Sequence, residues 1–199
     1  ARFLAEEQAA SIGVEIDLVL EPDGRDTLGA VAVGVELALR RDGAGVALVL
    51  PSDHLVPDEE RFLEAVDVAA RTAGLGRLVL FGLKPSRPAT GFGYIRPGSA
   101  LGPLAHDIAV FVEKPDAARA AALIEEGCLW NSGILCAPLD TAREEIEALA
   151  PRVAEAARRA VEDAETDLGA LRLGGSLSDC PRDSFDRAVL EKTDRAAVV

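Results

Sequence analysis

Methionine is absent from the 199 residues, histidine occurs twice, tryptophan and tyrosine once each, and aromatics make up only 4%. A primary translation product begins with methionine, so a chain opening at Ala1 with "ARFLAEEQ", already helical in character, reads as a trimmed or processed piece. No run approaches the ~18 consecutive apolar residues of a membrane span, and the first residues lack the basic, apolar, small-residue order of a secretory signal. The expected location is therefore the cytoplasm, without a membrane partner. Cysteine is scarce too: Cys128, Cys136 and Cys180 are odd in number and form no C-x-x-C pair, which argues against a disulfide framework and a cysteine zinc site and predicts buried, reduced thiols. Positive charge is in deficit, 21 basic against 34 acidic residues and a net charge of -13, which argues against nucleic acid or an anionic membrane as partner. An anionic ligand must be met by local cations. Only Lys84, Lys114 and Lys192 among the basic residues are lysines, and the last two stand in Glu-Lys pairs that follow apolar stretches.

What is present is ordinary globular material, 49% hydrophobic and 28% charged, enough for one domain or a large part of one. Short runs rich in Val, Leu and Ile predict strands at 16–22, 45–54, 77–85, 108–115 and 131–138, most of them unalternating and so buried on both faces. Helical periodicity fills the intervals. Asp26 or Thr27 can cap a helix with Leu28, Val31, Val35 and Leu39 on one face, ending at Gly43. Asp58 caps the next, with Phe62, Val66, Ala69 and Ala73 inward, and Asp116 a third that ends at Gly127. Residues 141–163 give one or two more, interrupted at Pro151. Strand and helix in alternation predict an α/β fold, doubly wound, with a mostly parallel sheet and helices on both faces. The loosest stretch is 167–185.

In such a sheet ligands gather beyond the strand ends. Three apolar runs end in polar groups: Pro51-Ser52-Asp53-His54, Glu113-Lys114-Pro115, and Glu21-Pro22 leading through Gly24-Arg25-Asp26-Thr27 into a helix. An aspartate there offers hard oxygen to a magnesium ion, a glutamate can accept bonds from two neighbouring sugar hydroxyls, and a lysine can neutralise a phosphate. The combination suggests a sugar phosphate and a metal-bound nucleotide. His54 reads as a helix-entry or packing residue rather than a base, Trp130 as core or pocket wall, and Phe92 and Tyr94 likewise.

The motifs "LEPDGRDT", "VLPSDH", "TGFGYI", "FVEKP", "WNSGI" and "DSFDRAVLEKT", in this order, resemble the nucleotidyltransferase domain of bacterial mannose-1-phosphate guanylyltransferases, the GDP-mannose pyrophosphorylases. The likeness runs through nearly all of residues 1–199, read as a single sugar nucleotidyltransferase-like domain of the nucleotide-diphospho-sugar transferase type. It implies GTP and mannose 1-phosphate as substrates, GDP-mannose and pyrophosphate as products, and Mg²⁺ as cofactor. It also implies catalytic roles for Asp53, as metal ligand, and for Lys114 and Lys192. Gly93, Glu113, Asn131, Asp186 and Glu191 would bind the sugar phosphate, with a glycine at 93 because a side chain would obstruct. Arg25, Asp26 and Thr27 would meet the nucleotide, where free helix amides favour anions. A homo-oligomer is compatible with the sequence.

The resemblance also marks departures. Relatives open with a strand and a "GGxGxRLWPLSR"-type loop that cradles the triphosphate, and continue to a "GWSDVGSW"-type segment whose aspartate gives a second metal ligand; neither is in this chain. Without them the chain as given is expected to be inactive; since an empty slot beside the central strands would leave two unpaired edges, the full gene product is expected to supply them, the alternatives being another chain in the gap or a rearranged sheet. Asp26 stands where the family more often has Asn. The alternative is a non-catalytic relative, a sugar-nucleotide-binding or regulatory module that has lost the phosphate loop.

Overall fold

The computed structural model of the chain describes residues 2–199. Helix α1 (Arg2–Ser11) leads to a short strand β1 (Leu18–Leu20), then α2 (Asp26–Asp42), β2 (Val46–Val49), α3 (Glu59–Ala73) and β3 (Leu78–Leu83). A long hairpin follows, β4 (Tyr94–Gly102) and β5 (Ala105–Val112), then α4 (Ala117–Glu125) and β6 (Leu129–Pro138). Helices α5 (Leu139–Leu149) and α6 (Pro151–Glu162) are separated at Pro151, as expected of a residue that suits only a first helical turn. Two short strands, β7 (Glu165–Asp167) and β8 (Ala170–Arg172), a 3₁₀ turn at Gly175–Asp179, a π turn at Asp186–Leu190 and β9 (Ala196–Val198) complete the chain.

The helix signals in the sequence act where expected. Asp58 accepts a bond from the Arg61 amide at 3.1 Å and Asp116 from the Arg119 amide at 2.8 Å, each satisfying a donor left free at a helix start. Gly43 and Gly127 close α2 and α4 in left-handed conformation, with φ of 74° and 79°. At α2 the cap differs from expectation. Arg25 occupies the cap position without a side-chain bond, Asp26 Oδ1 takes the neighbouring Thr27 amide at 2.8 Å, and the Leu28 amide goes to the Asp183 carbonyl at 3.3 Å.

Alternation along β3 assigns the layers. Leu78 and Leu80 face a core built with Leu28, Val31 and Val35 of α2, Ile146 of α5 and Val153 and Ala157 of α6. Val79 and Phe81 face the other side, with Ala69 and Ala73 of α3. Helices thus cover both faces, and each fully buried Leu or Val contributes about 1.5–3 kcal/mol. The three cysteines are buried and free.

The sheet itself is mixed rather than mostly parallel. Strand order in the larger sheet is β2-β6-β3-β9-β5-β4, with a further ladder between β4 and β6. Only β3–β9 is parallel there; β2–β6, β3–β6, β4–β5, β5–β9 and β4–β6 are antiparallel. Unbroken apolar runs report burial on two faces but not strand direction, and the hairpin strand β4, interrupted by Arg96 and Pro97, gives no such run. A separate sheet holds β1-β8-β7, with β1 parallel to β8. Among the described residues β1 and β2 therefore each have a ladder on one edge only, and Val46, Leu48 and Leu50 are exposed.

Candidate functional site

The site is built where "VFVEKP" leaves the sheet. β5 ends at Val112, and Lys114 turns the chain with φ of 46°, a conformation that costs a side-chain-bearing residue on the order of 1–3 kcal/mol and collects at functional sites. Asp26, at the start of α2, has φ of 67°. Pro115 cannot extend the ladder, and Asp116 starts α4. Three abrupt residue types thus make one corner, with the Glu113 side chain tucked in at 7% exposure and Lys114 lying over it at 55%.

Lys114 Nζ donates to Glu113 Oε1 at 3.0 Å. The other carboxylate oxygen, Oε2, sits beside Gly93: a Cβ there would stand 2.8 Å from it, 3.1 Å from Phe111 Cζ and 3.3 Å from Asn131 Cβ. Glycine at this position makes room for Glu113 itself. The Gly93 carbonyl accepts the Asn131 amide at 2.8 Å, and the fully buried Tyr94 hydroxyl donates to the Ala89 carbonyl at 2.9 Å, so the segment before β4 is pinned at both ends. Tyr94 is core rather than pocket wall.

Asn131 is held in one orientation. Its Oδ1 accepts the Gly133 amide at 3.1 Å, and its Nδ2 donates to Asp186 Oδ1 at 2.5 Å. Glu191 Oε1 accepts the Glu113 backbone amide at 3.2 Å. Six sequence-derived candidates, Gly93, Glu113, Lys114, Asn131, Asp186 and Glu191, therefore meet in one place from four parts of the chain. Thr27 joins from α2 through its hydroxyl, which accepts the Phe185 amide at 3.0 Å. That hydroxyl serves the fold, as does the Leu28 amide, which leaves fewer free donors at this helix start than the sequence suggests.

Electrostatically the corner is one ammonium among carboxylates. The hydrogen bond that Lys114 donates to Glu113, and then the charge of Glu113, raise the Lys114 pKa, with Asp186 and Asp26 adding to it. Burial, and secondarily the charge of Glu113, push the Asp186 carboxyl up. Lys114 is exposed, and no hydrogen bond among the described residues engages Glu113 Oε2 or the second Nδ2 hydrogen of Asn131.

The other candidates lie further out. Asp53 is exposed on the turn after β2. The turn begins at Pro51, whose Cγ lies 3.6 Å from where a Cβ of Gly133 would be, so it leaves the sheet next to the Asn131 end of β6. No bond or ion pair among the described residues joins Asp53 to the Glu113 cluster, and no group of three or more His, Cys, Asp or Glu among them could hold a metal ion. A single exposed carboxylate fits a divalent ion that would take most of its ligands from outside the protein, not a protein-only cage. Lys192 follows Glu191 and is exposed. Arg25 pairs with Asp23 at 3.7 Å and lies beside Gly29, its Nε buried without a partner, and its charge acts on Cys180; no bond among the described residues links it to Glu113. His54 is exposed. Trp130 is half-buried against Phe92, ring centroids 5.1 Å apart, with the Arg87 guanidinium 5.9 Å from its ring.

The motif "DSFDRAVLEKT" begins at Asp183, but sequence reasoning assigned no role to Asp183 or Phe185, which tie α2 to the site. Only backbone atoms of these two residues make the bonds, so no residue type signalled them.

Comparison with known proteins gives a consistent picture. The XanB xanthan biosynthesis protein of Xanthomonas campestris pv. campestris strain B100 is 43% identical over 201 residues, all of this chain and 43% of that protein. The mannose-1-phosphate guanylyltransferase of Sinorhizobium fredii is also 43% identical, over all of this chain and 40% of its own length. The chain thus spans less than half of these curated relatives. Among solved structures, one described as a mannose-1-phosphate geranyltransferase from Thermus thermophilus superposes with a TM-score of 0.84 at 38% identity, covering 98% of this chain and 55% of that one. A mannose-6-phosphate isomerase from Helicobacter pylori superposes at 0.88 with 28% identity, covering 99% and 77%. The nucleotidyl transferase family model matches residues 2–175, and the chain belongs to that family.

Proposed function

We propose that the protein is the core of a cytoplasmic mannose-1-phosphate guanylyltransferase, which joins GTP and mannose 1-phosphate into GDP-mannose and pyrophosphate. The observation that carries this is the corner itself: a buried, fixed carboxylate at Glu113, an exposed ammonium at Lys114 and an oriented amide at Asn131, with Glu113 and Asn131 both against Gly93. Relatives bearing that name share 37–43% identity across the full chain, in support.

In this reaction a phosphate oxygen of mannose 1-phosphate attacks the α-phosphorus of GTP, a new P–O bond forms, and the bond to the β-phosphate bridging oxygen breaks to release pyrophosphate. The nucleophile is already an anion at neutral pH, so no general base is required. The protein's contribution is alignment and neutralisation of charge. Glu113 accepts bonds from sugar hydroxyls and Lys114 holds the sugar phosphate. Lys192, exposed beside Glu191, adds a second cation. Asp26 and Thr27 place the α2 start against the nucleotide. A divalent ion, Mg²⁺ in this reading, would be held by Asp53, and when bound it supplies charge neutralisation on the nucleotide phosphates.

The test is pyrophosphate release from GTP and mannose 1-phosphate by the intact gene product. Turnover is expected, with a loss of at least about tenfold in Lys114→Ala from the missing charge-assisted contact. GDP-mannose binding without any turnover, unchanged in Asp53→Ala, would overturn the enzyme reading in favour of a binding module.

A further inference from the structure

The π turn at Asp186–Leu190 is closed by the Glu191 amide donating to the Asp186 carbonyl at 2.9 Å, a bond spanning five residues. On an α-helix, residues five apart point about 140° away from each other, whereas a turn closed at this spacing brings them onto one side. Asp186 and Glu191 consequently reach two different walls of the same corner. Asp186 Oδ1 holds Asn131 of β6, and Glu191 Oε1 holds the amide of Glu113 after β5. Just upstream the same segment takes the Leu28 amide on the Asp183 carbonyl and gives the Phe185 amide to the Thr27 hydroxyl. Nine residues thus touch every element that carries the proposed sugar-phosphate contacts.

From this geometry we infer that the segment Asp183–Glu191 is a clasp that sets the distance between Glu113 and Asn131, and that Glu191 and Asp186 are positioning residues acting through those two rather than ligands in their own right. The inference rests on the sugar-phosphate reading of the corner for its functional consequence, but not for its structural one. The engaged atoms argue for it: Glu191 spends a carboxylate oxygen on a backbone amide, and Asn131 has both its oxygen and one hydrogen committed within the protein. The two arms grip different strands' ends, so coupling between them passes through the turn.

The test uses the intact gene product in five forms: wild type, Glu191→Gln, Glu191→Ala, Asn131→Ala and the double alanine variant. Hydrogen exchange of the Glu113 amide is measured first, without ligand. Protection is expected in wild type and in Glu191→Gln, whose amide oxygen still accepts, and exchange at least about tenfold faster in Glu191→Ala. Asn131→Ala, which leaves the Glu113 amide's own partner intact, is expected to speed that same amide as well. Affinity for mannose 1-phosphate is measured second. Each alanine variant should lose at least about fivefold, Glu191→Gln little, and the double alanine variant no more than the worse single, because either release frees the turn. Glu113 exchange unchanged in Asn131→Ala, or losses that multiply in the double variant, would overturn the clasp. Absence of sugar-phosphate binding by wild type would instead defeat the functional reading, with the exchange arm still deciding the clasp.

Discussion

Replacing Gly93 by alanine tests whether the glycine exists to seat Glu113. Its φ is not in the left-handed region, so the effect is one of space rather than backbone strain. The added methyl would meet Glu113 Oε2 at 2.8 Å, so the carboxylate must retreat by about 0.6 Å to reach the 3.4 Å of ordinary contact, while Phe111 and Asn131 block the other directions. Overfilling of this kind costs about 1–3 kcal/mol, offset by about 0.4–1 kcal/mol because alanine also restricts the unfolded chain. A net loss of up to about 2.6 kcal/mol, centred on about 1.3 kcal/mol, is expected in urea denaturation. Gly91 supplies the control, two residues away with nothing within 4 Å of its Cβ position, and Gly91→Ala should be neutral or slightly stabilising. In calorimetry with mannose 1-phosphate, Gly93→Ala should lose at least about tenfold in affinity, the size of one hydrogen bond to a charged group, and Gly91→Ala nothing comparable. Equal behaviour of the two variants in both measurements would refute the seating role.

Three further outcomes are expected. Lys114→Gly should relieve the left-handed strain and gain about 1 kcal/mol in denaturation while losing phosphate-dependent affinity; Lys114→Ala should lose the affinity without that gain, and a destabilised glycine variant would contradict the strain. Asp26→Asn keeps an acceptor for the Thr27 amide and tolerates φ of 67°, but removes a negative charge that acts on Lys114, so anion affinity should rise severalfold at low salt, with the gain shrinking as salt is added. Asp186 has a raised pKa, so its contribution to stability is fully present below its usual 3.8 and is lost as pH rises through the raised value. Asp186→Asn cannot ionise, and its stability relative to wild type should therefore increase from acid to neutral pH; a flat difference across that range in denaturation curves would show that ionisation of Asp186 is not opposed by folding.

Much of this is legible in the sequence alone. The caps at Asp58 and Asp116, the stops at Gly43 and Gly127 and the break at Pro151 are local chemistry, and local chemistry is carried by residue type. The corner is legible because Glu113 and Lys114 interrupt an apolar run and Asn131 opens one. Strand direction is not, since β6 and β5 run against β3 and β9 through contacts between residues far apart in the chain, and an apolar run has no arrow. Nor is β9 legible: three residues, Ala196 to Val198, are too few for any period to show. The unexpected cap at α2 has the same origin, because its donor is satisfied by Asp183, near the far end of the chain. Asp53 is legible as an acidic residue just past β2, and no group of three or more His, Cys, Asp or Glu that could hold a metal forms around it among the described residues.

The seat of β9 also governs when the molecule can assemble. It lies between β3 and β5, paired with Leu78–Leu80 on one side and with His106 and Asp107 on the other. A nascent chain on the ribosome can form its helices, the β4–β5 hairpin and the β4–β6 ladder early, but the strand that fills the slot between β3 and β5 is missing until residue 198 has cleared the exit tunnel. Assembly is thereby deferred to the end of this stretch of synthesis, and a ribosome stalled before Ala196 should display a protease-sensitive intermediate that one stalled well beyond Val199 does not.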